Sequence, residues 1–265
     1  FFTLFFLNLK TLKVYFLGTG TSQGIPVIGS KDPVCLSKDQ KDKRLRVSVW
    51  IHDEDFSLVV DCGPDFRQQM LKSKCSWIDA ILFTHEHADH TAGLDDIRPF
   101  NFRQGNIKAF GHKRVLDNIK SRFGYIFETE NRYPGAPSLE TIEVNNDQPL
   151  EVARKTIIPI NAFHGKLQVF GYRIDNFAYL TDLKTVPSDE LIKFKNLDVL
   201  VINALREEEH ETHFSLSEAL EFINLVNPKK AYLTHISHKM GFHEEVQNKL
   251  PENVFLAYDN LEITI

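Results

Sequence analysis

Cysteine is scarce in this sequence, which has Cys35, Cys62 and Cys75 among its 265 residues. An odd number of cysteines without metal-finger spacing argues against a disulfide framework and against a zinc-finger module. We therefore predict three free thiols in a reducing compartment, which implies a cytoplasmic protein.

An excess of basic residues is also lacking, because 31 Lys and Arg face 36 Asp and Glu and the formal net charge is −5. This balance gives no electrostatic reason to expect a general nucleic-acid binder. The one unusual apolar run is FFTLFFL at residues 1–7, which is too short to span a bilayer and lacks the features of a secretory signal. We predict that it forms an edge strand or an upstream extension, and we expect no membrane partner.

No repeat, low-complexity tract or flexible linker divides the sequence, so we predict a single domain over residues 1–265. Helical patterns cover residues 64–72, 113–122 and 216–226, and the last begins at a capping box of Ser215 and Glu218. Apolar runs between turn residues predict strands at 12–17, 45–51, 57–61, 79–83, 107–110, 141–144, 150–153, 156–161, 169–174, 178–180, 197–202 and 231–234. This order indicates an α+β fold, an αββα sandwich in which two mixed sheets pack face to face with helices outside.

The strongest chemical signal is the segment HEHADH at residues 85–90, directly after the predicted strand at 79–83. Residues i and i+2 of an extended segment face one side, so His85 and His87 can bind one metal ion. A turn after His87 can direct Asp89 and His90 toward a second ion. Imidazole and carboxylate without thiolate suit zinc, manganese or iron better than calcium or copper(I). A solvated polar loop is the alternative, and it accounts poorly for three histidines and an aspartate within six residues.

The H-x-H-x-D-H pattern resembles the metal motif of the metallo-β-lactamase superfamily, and the resemblance extends along almost the whole chain. One branch is especially similar, the phosphonate-pathway phosphodiesterases that open ribose cyclic phosphates. The segments that carry this similarity are VYFLGTGTSQGIP, VVDCGPD, THEHADHTAGLDDIRPF and YLTHISHKMG.

The resemblance implies two divalent ions with Asp182 as a bridging ligand. The first ion would be bound by His85, His87, His164 and Asp182. The second ion would be bound by Asp89, His90, Asp182 and His235. Asp61 would form a hydrogen bond to a ligand histidine and fix its orientation.

His213 has no metal role in this scheme and resembles the catalytic histidine of the branch, which contacts the phosphate or protonates the leaving oxygen. Its neighbour His210 is the alternative for that role. Arg98 is a candidate phosphate contact, with an ion pair to Asp95 or Asp96 as the alternative.

One segment departs from the branch, whose members often carry a structural zinc site of C-x-C-x-x-C and a later histidine. Residues 30–35 retain only Cys35, with Asp32 as a poor substitute and His238 as the would-be fourth ligand. A site without two thiolates should bind zinc weakly, so we expect it to be empty and His238 to be structural.

Charge narrows the substrate class, because two divalent ions outweigh Asp89, Asp182 and a bridging hydroxide and so favour an anionic substrate. The hydroxide would be the nucleophile. We therefore expect a metal-dependent phosphodiesterase, a homodimer by resemblance, that acts on a small cyclic phosphate or nucleotide-like ester. A tRNA 3′-processing endonuclease, a thioester or lactone hydrolase and a non-catalytic carrier remain alternatives.

Overall fold

The computed structural model describes residues 11–265, so the strand predicted at residues 1–7 lies outside the described part. Within the described part, no helix has both the length and the apolar character needed to cross a membrane. The elements in chain order are β1 (Lys13–Gly18), α1 (Pro33–Leu36), β2 (Ser48–His52), β3 (Ser57–Val60), α2 (Phe66–Ser73), β4 (Ala80–Leu82), α3 (Ala88–Thr91), α4 (Arg98–Gln104), β5 (Ile107–Gly111), α5 (Lys113–Arg122), α6 (Gly124–Phe127), β6 (Leu139–Glu143), β7 (Leu150–Val152), β8 (Lys155–His164), β9 (Leu167–Ile174), β10 (Phe177–Tyr179), β11 (Val199–Asn203), α7 (Leu216–Val226), β12 (Lys230–Thr234), α8 (His243–Gln247), β13 (Val254–Leu256) and β14 (Glu262–Thr264).

The strands form two mixed sheets of seven strands each. The first sheet has the order β14-β1-β2-β3-β4-β5-β6, and the second has the order β13-β12-β11-β10-β9-β8-β7. In the first sheet β3 to β6 run parallel, and in the second β10 to β13 run parallel. The remaining neighbours in both sheets are antiparallel.

Alternating side chains place β3 between two apolar layers. On β3, Leu58 and Val60 join the cluster between the sheets, whereas Val59 packs with Phe66 of α2 on the outer face. Successive side chains of a strand point to opposite faces, so a strand with apolar residues at every position is buried on both sides. Helices cover the outer face of each sheet, and the predicted αββα sandwich is confirmed.

Helix α7 crosses between the parallel strands β11 and β12 and packs its buried side chains on the second sheet. The predicted capping box is present: Ser215 Oγ accepts from the Glu218 N–H, and the Glu218 carboxylate accepts from the Ser215 N–H. The helix ends at Asn227, whose φ of 52° gives a left-handed C-cap. Local sequence signals therefore set both ends of this helix.

The sheet topology brings the ends of several strands to one edge. Strands β3 and β4 are parallel neighbours. Strands β8 and β10 both pair antiparallel with β9, so they run in the same direction as each other and as β11 and β12. Polar residues that directly follow these strands therefore collect at the carboxyl edge, where ligands bind in open sheets with parallel strands.

Candidate metal centre

The candidate centre lies where strands of both sheets end. Asp61 follows β3, Asp182 follows β10, His235 follows β12, and His164 is the last residue of β8. Asp61, Asp182 and His235 have φ values of 64°, 54° and 55°, in the left-handed region. This backbone conformation is uncommon outside glycine but is enriched in aspartate and histidine. The chain thus turns sharply at the residues that carry the functional groups.

Asp89, His90, Asp182 and His235 place one ligand atom each within 4.8 Å of one another. His90 Nε2 lies 3.2 Å from both Asp89 Oδ2 and Asp182 Oδ2. His235 Nε2 lies 3.1 Å from Asp182 Oδ1. The structure therefore brings together all four side chains that the sequence assigned to the second ion.

The residues assigned to the first ion also meet at this edge. The ring centroids of His85, His87 and His164 are 4.5 to 5.9 Å apart. The ligand atoms of His164 and Asp182 form a tight group with His213, whose Nε2 lies 3.2 Å from Asp182 Oδ1. Asp182 is common to this group and to the other one, as a bridging carboxylate would be. His213, to which the sequence analysis gave no metal role, thus lies beside two candidate ligands.

Asp61 is fully buried and orients the side chains around it. Its carboxylate accepts hydrogen bonds from the Thr84 N–H and the Thr84 hydroxyl, both at 2.9 Å. It also lies 2.6 Å from His90 Nδ1, which donates to it. Because Nδ1 is engaged in this way, His90 directs Nε2 toward Asp89 and Asp182.

Two other histidines, His85 and His164, are also oriented by contacts of their Nδ1 atoms. The Thr84 hydroxyl proton points to Asp61, so Thr84 Oγ1 can accept from His85 Nδ1 at 3.0 Å. His164 Nδ1 donates to the carbonyl oxygen of Thr212 at 2.8 Å. In His164, Nε2 keeps its lone pair available for a cation, whereas His85 Nε2 lies 2.9 Å from His87 Nδ1.

Protonation states in the centre suit a divalent cation. Burial lowers the pKa of His85 and His164, and it lowers the pKa of His235 to about 4, so these imidazoles are neutral at pH 7. Burial opposes ionisation of Asp182, but His235 and His90 outweigh it and hold the pKa well below its ordinary value. Neutral imidazoles with ionised carboxylates are the form in which these side chains bind metals.

Unpaired nitrogens point to the same conclusion. His90 Nε2 and both ring nitrogens of His235 are buried without a well-directed hydrogen bond within residues 11–265, although His90 Nε2 and His235 Nε2 lie within 3.2 Å of carboxylate oxygens. Burial lowers the pKa of His90, but Asp182, Asp61 and Asp89 outweigh it and raise the pKa well above its usual range. A cluster that holds a proton so firmly attracts cations, and an unsatisfied buried nitrogen is costly. The residues present therefore fit the metal ions that the motif implies.

A cleft of about 380 Å³ opens over the centre. The turn that follows β1 contributes Thr21, Ser22 and Gln23 to it. The other lining residues are His87, Asp89, His164, Asp182, Leu205, Arg206, His210, His213, His235, Ser237, His238 and Lys239.

Arg98 is not among the residues that line this cleft. Its guanidinium donates to Asp95 Oδ1 at 2.6 Å, and the Tyr125 hydroxyl donates to the same oxygen. The ion pair considered as the alternative is what the structure contains. The reason is local, since Arg98 begins α4 only three residues after Asp95.

The residues that correspond to the structural zinc site, Asp32, Cys35 and His238, have other structural roles. The Asp32 carboxylate accepts from the Val34 N–H and caps α1. Cys35 is buried and its Sγ accepts from the Val27 N–H at 3.5 Å. His238 lines the cleft and begins the 3₁₀-helix His238–Met240. Weak zinc binding at this place stays a prediction.

A threonine precedes three of the candidate ligands, a signal that the sequence interpretation missed. The pairs are Thr84-His85, Thr181-Asp182 and Thr234-His235. Thr181 Oγ1 donates to Asp182 Oδ2 at 2.7 Å, and Thr84 contacts both Asp61 and His85. The segments ILFTH and AYLTD could have revealed the orienting hydroxyls of Thr84 and Thr181, whereas the Thr234 hydroxyl of AYLTH has no hydrogen-bond partner within residues 11–265.

Residues 57–236 match the family model of the beta-lactamase superfamily domain. The chain belongs to the metallo-β-lactamase superfamily. It is 39% identical over 256 residues to a protein named octanoyltransferase from Porphyromonas gingivalis, covering 96% of this chain and 52% of that protein. This chain thus spans about half the length of that relative.

Among solved structures, this chain is similar to a diphosphatase from the PhnP family. The two share 35% identity and a TM-score of 0.88, over 95% of this chain and 97% of the other. A ribonuclease Z from Bacillus subtilis is 27% identical over 168 residues, which is 62% of this chain and 48% of that enzyme.

Substitution of Asp61 by asparagine is expected to weaken metal binding about 10–100-fold. Asparagine tolerates the left-handed backbone, but its amide NH2 cannot accept, so it would face either the Thr84 N–H or the donors of the Thr84 hydroxyl and His90. Metal affinity would be measured by competition with a chromophoric chelator. Asp147→Asn, at an exposed turn, is the matched control. Equal affinities of Asp61→Asn and wild type would show that Asp61 does not orient His90 for binding.

Proposed function

We propose that this protein is a dinuclear metal-dependent phosphodiesterase that hydrolyses a small anionic phosphoric ester. The observation that carries the proposal is the position of Asp182, which belongs to two groups of donor side chains at one cleft, the first with Asp89, His90 and His235 and the second with His164 and His213. Such a shared carboxylate suits a pair of ions rather than a single one. Paired divalent ions favour phosphoryl chemistry because they balance charge on both reacting oxygens.

The ligand sets are those assigned by resemblance, and the structure supports them by proximity. His85, His87, His164 and Asp182 would hold one ion; Asp89, His90, Asp182 and His235 would hold the other. When bound, the ions supply Lewis acidity and lower the pKa of a coordinated water. Zinc and manganese both suit the nitrogen and oxygen donors, as does iron.

His213 has the geometry of a proton donor to the leaving oxygen. Its Nε2 faces the centre at 3.2 Å from Asp182 Oδ1. Its Nδ1 lies 3.0 Å from Thr212 Oγ1 and 3.2 Å from His210 Nδ1, which can fix the tautomer. His210 contacts His213 rather than Asp182, and this favours His213 over His210 as the catalytic histidine.

The cleft favours a small substrate over a nucleic acid. Its volume is at the small end of the range of about 300–1,000 Å³ that is typical of small-molecule sites. Arg206 and Lys239 are the cationic side chains other than histidine that line it within residues 11–265. The net charge of −5 adds no general attraction for tRNA.

Hydrolysis of a diphosphate bond is a second candidate. The relevant observation is the similarity to the PhnP-family diphosphatase, which extends over nearly the whole of both chains. The same centre and His213 would serve this reaction, which differs in having a phosphate as the leaving group. The name octanoyltransferase belongs to a protein of which this chain matches only half, so we carry over no acyl-transfer activity.

The proposal is tested by metal content together with a substrate panel. Two equivalents of zinc or manganese and turnover of bis(p-nitrophenyl) phosphate are expected. Two equivalents with hydrolysis of thioesters or lactones instead would replace the phosphodiesterase by those alternatives. A metal-loaded protein inert toward every ester would favour a carrier role.

His213→Ala should retain both metal ions and lose about 10²–10⁴-fold in kcat. The substitution removes the proton donor but none of the seven assigned ligands. Metal content and turnover would be measured on the same sample, with His210→Ala as the neighbouring control. Full activity of His213→Ala would remove this residue from the mechanism.

A further inference from the structure

Helix α5 lies beside the segment of the metal motif, residues 85–91, and two of its arginines contact that segment. Val115 and Ile119 pack in the apolar cluster on the outer face of the first sheet, so the helix itself is firmly held. Arg114 and Arg122 reach from it to polar groups of the motif segment. Neither arginine lines the cleft over the metal centre, so their contact with the site is indirect.

Arg114 contacts both chain segments that carry the histidines assigned to the first ion. Its Nε lies 2.9 Å from Oε1 of Glu86, which stands between His85 and His87 in the motif. Only 17% of the Glu86 side chain is exposed, so water and salt screen this ion pair only in part. Nη2 of the same guanidinium donates to the carbonyl oxygen of Gln168 at 2.7 Å. A guanidinium presents its N–H donors in a fixed planar arrangement and can hold two partners at once.

Gln168 belongs to the β8–β9 hairpin, which carries His164. It is paired across the hairpin with Phe163, the neighbour of His164. The Phe170 N–H donates to the carbonyl oxygen of Thr84 at 3.0 Å, so the hairpin also contacts the residue before the motif segment. Arg114 therefore adds a second connection between the hairpin and the motif segment.

Arg122 holds the backbone of the motif segment. Its Nη1 donates to Thr91 Oγ1 at 2.8 Å and to the carbonyl oxygen of Glu86 at 3.3 Å. The Thr91 hydroxyl donates in turn to the carbonyl oxygen of His87 at 2.9 Å. His87 is the exposed member of the seven assigned ligands, so burial does not fix its side chain. Its position depends on how firmly its backbone is held.

We propose that Arg114 and Arg122 are positioning residues that set the geometry of the ligands of the first ion. Arg114 fixes the distance between the motif segment and the β8–β9 hairpin, and Arg122 fixes the backbone of His87. His90, which is assigned to the second ion, is oriented by Asp61, so binding of the second ion depends less on α5. The inference rests on the dinuclear centre of the proposed function but not on the identity of its substrate.

Zinc binding followed at each histidine ring tests the inference without any substrate. Ring ¹⁵N NMR signals report coordination of each imidazole, so an apparent affinity is read separately at His87 and at His235. Arg114→Gln should weaken zinc binding at His87 about tenfold, the low end for loss of a residue that orients a ligand, and leave it nearly unchanged at His235. Lys113→Gln is the matched control, because Lys113 is an exposed cation of the same helix that pairs with Asp117. Equal weakening at both rings, or none at His87, would overturn the inference.

A double-mutant cycle with Glu86→Gln separates the ion pair from general destabilisation. Glu86→Gln should also weaken zinc binding at His87. The double variant should bind zinc no more weakly than Arg114→Gln, because both substitutions remove the same ion pair. Fully additive losses would contradict a connection of Arg114 to the motif segment through Glu86.

Amide hydrogen exchange of the metal-free protein requires neither metal nor turnover. Arg114→Gln should speed exchange in residues 85–91 and in residues 163–168. Arg122→Gln should speed it in residues 85–91 alone, because the hydrogen bonds of its guanidinium within the described part of the chain go to that segment. Unchanged exchange in Arg114→Gln would refute the inference. If wild type binds a single equivalent of zinc, the dinuclear proposal fails, and the exchange pattern still decides the role of both arginines.

Discussion

Replacing Asp182 with alanine should remove metal and activity together, and turnover should fall by about a thousandfold or more. This exceeds the roughly 10–100-fold effect of losing an orienting partner. Asp182 belongs to both groups of candidate donors, one with Asp89, His90 and His235 and the other with His164 and His213. The substitution therefore takes a donor from both groups at once. It also leaves buried imidazoles without the charge that balances a bound cation.

Elemental analysis after reconstitution and hydrolysis of bis(p-nitrophenyl) phosphate would measure the two effects. Asp189→Ala is the matched control, because Asp189 is an exposed aspartate in the 3₁₀-helix Ser188–Phe194. Circular dichroism would establish that both variants are folded. Two equivalents of metal in Asp182→Ala would contradict the bridging assignment, whatever the residual activity.

Elements with strong local signals were predictable from the sequence. The bounds predicted for α5 and α7, residues 113–122 and 216–226, are those of the structure. Helix α5 is capped by His112, and α7 by the Ser215 capping box. A cap and an amphipathic face lie within a few residues of each other, so a linear sequence carries both.

Elements that depend on distant partners were not predictable. Strands β13 and β14 have three residues each and exist because they pair with β12 and β1. The strand predicted at residues 156–161 extends to His164, because pairing with β9 continues to the end of the hairpin. His164 is therefore fixed by the sheet, whereas the predicted strand ended three residues before it.

In the candidate site, likewise, the contiguous residues could be predicted from their spacing, whereas the distant ones could not. Residues 85–90 are contiguous, so their spacing alone predicts a metal motif. His164, Asp182 and His235 lie far apart in sequence and were assigned by resemblance. The ion pair of Arg98 with Asp95 and the position of Lys239 at the cleft depend on tertiary distances. Sequence spacing contains no measure of those distances.

Gly63→Ala should be strongly destabilising, because two backbone segments meet at this glycine. A Cβ atom there would lie 2.0 Å from the Asp89 carbonyl oxygen. The Cys62 N–H donates to His90 O at 2.8 Å, and the Gly93 N–H donates to Cys62 O at 2.9 Å. These hydrogen bonds leave little freedom for the segments to separate. We expect a loss of about 3 kcal/mol in the free energy of unfolding, at the upper end for overpacking.

The clash would also displace Asp89 and His90, so metal affinity should fall together with stability in Gly63→Ala. Chemical denaturation of the metal-free protein would isolate the packing effect, and a metal titration would report the displacement. Gly124→Ala is the control, since its Cβ would meet no atom within 4 Å and its φ is not left-handed. A Gly63→Ala variant with wild-type stability would mean that the loop after β3 can move away from Asp89. Unchanged metal affinity in a destabilised variant would instead separate this contact from the geometry of the centre.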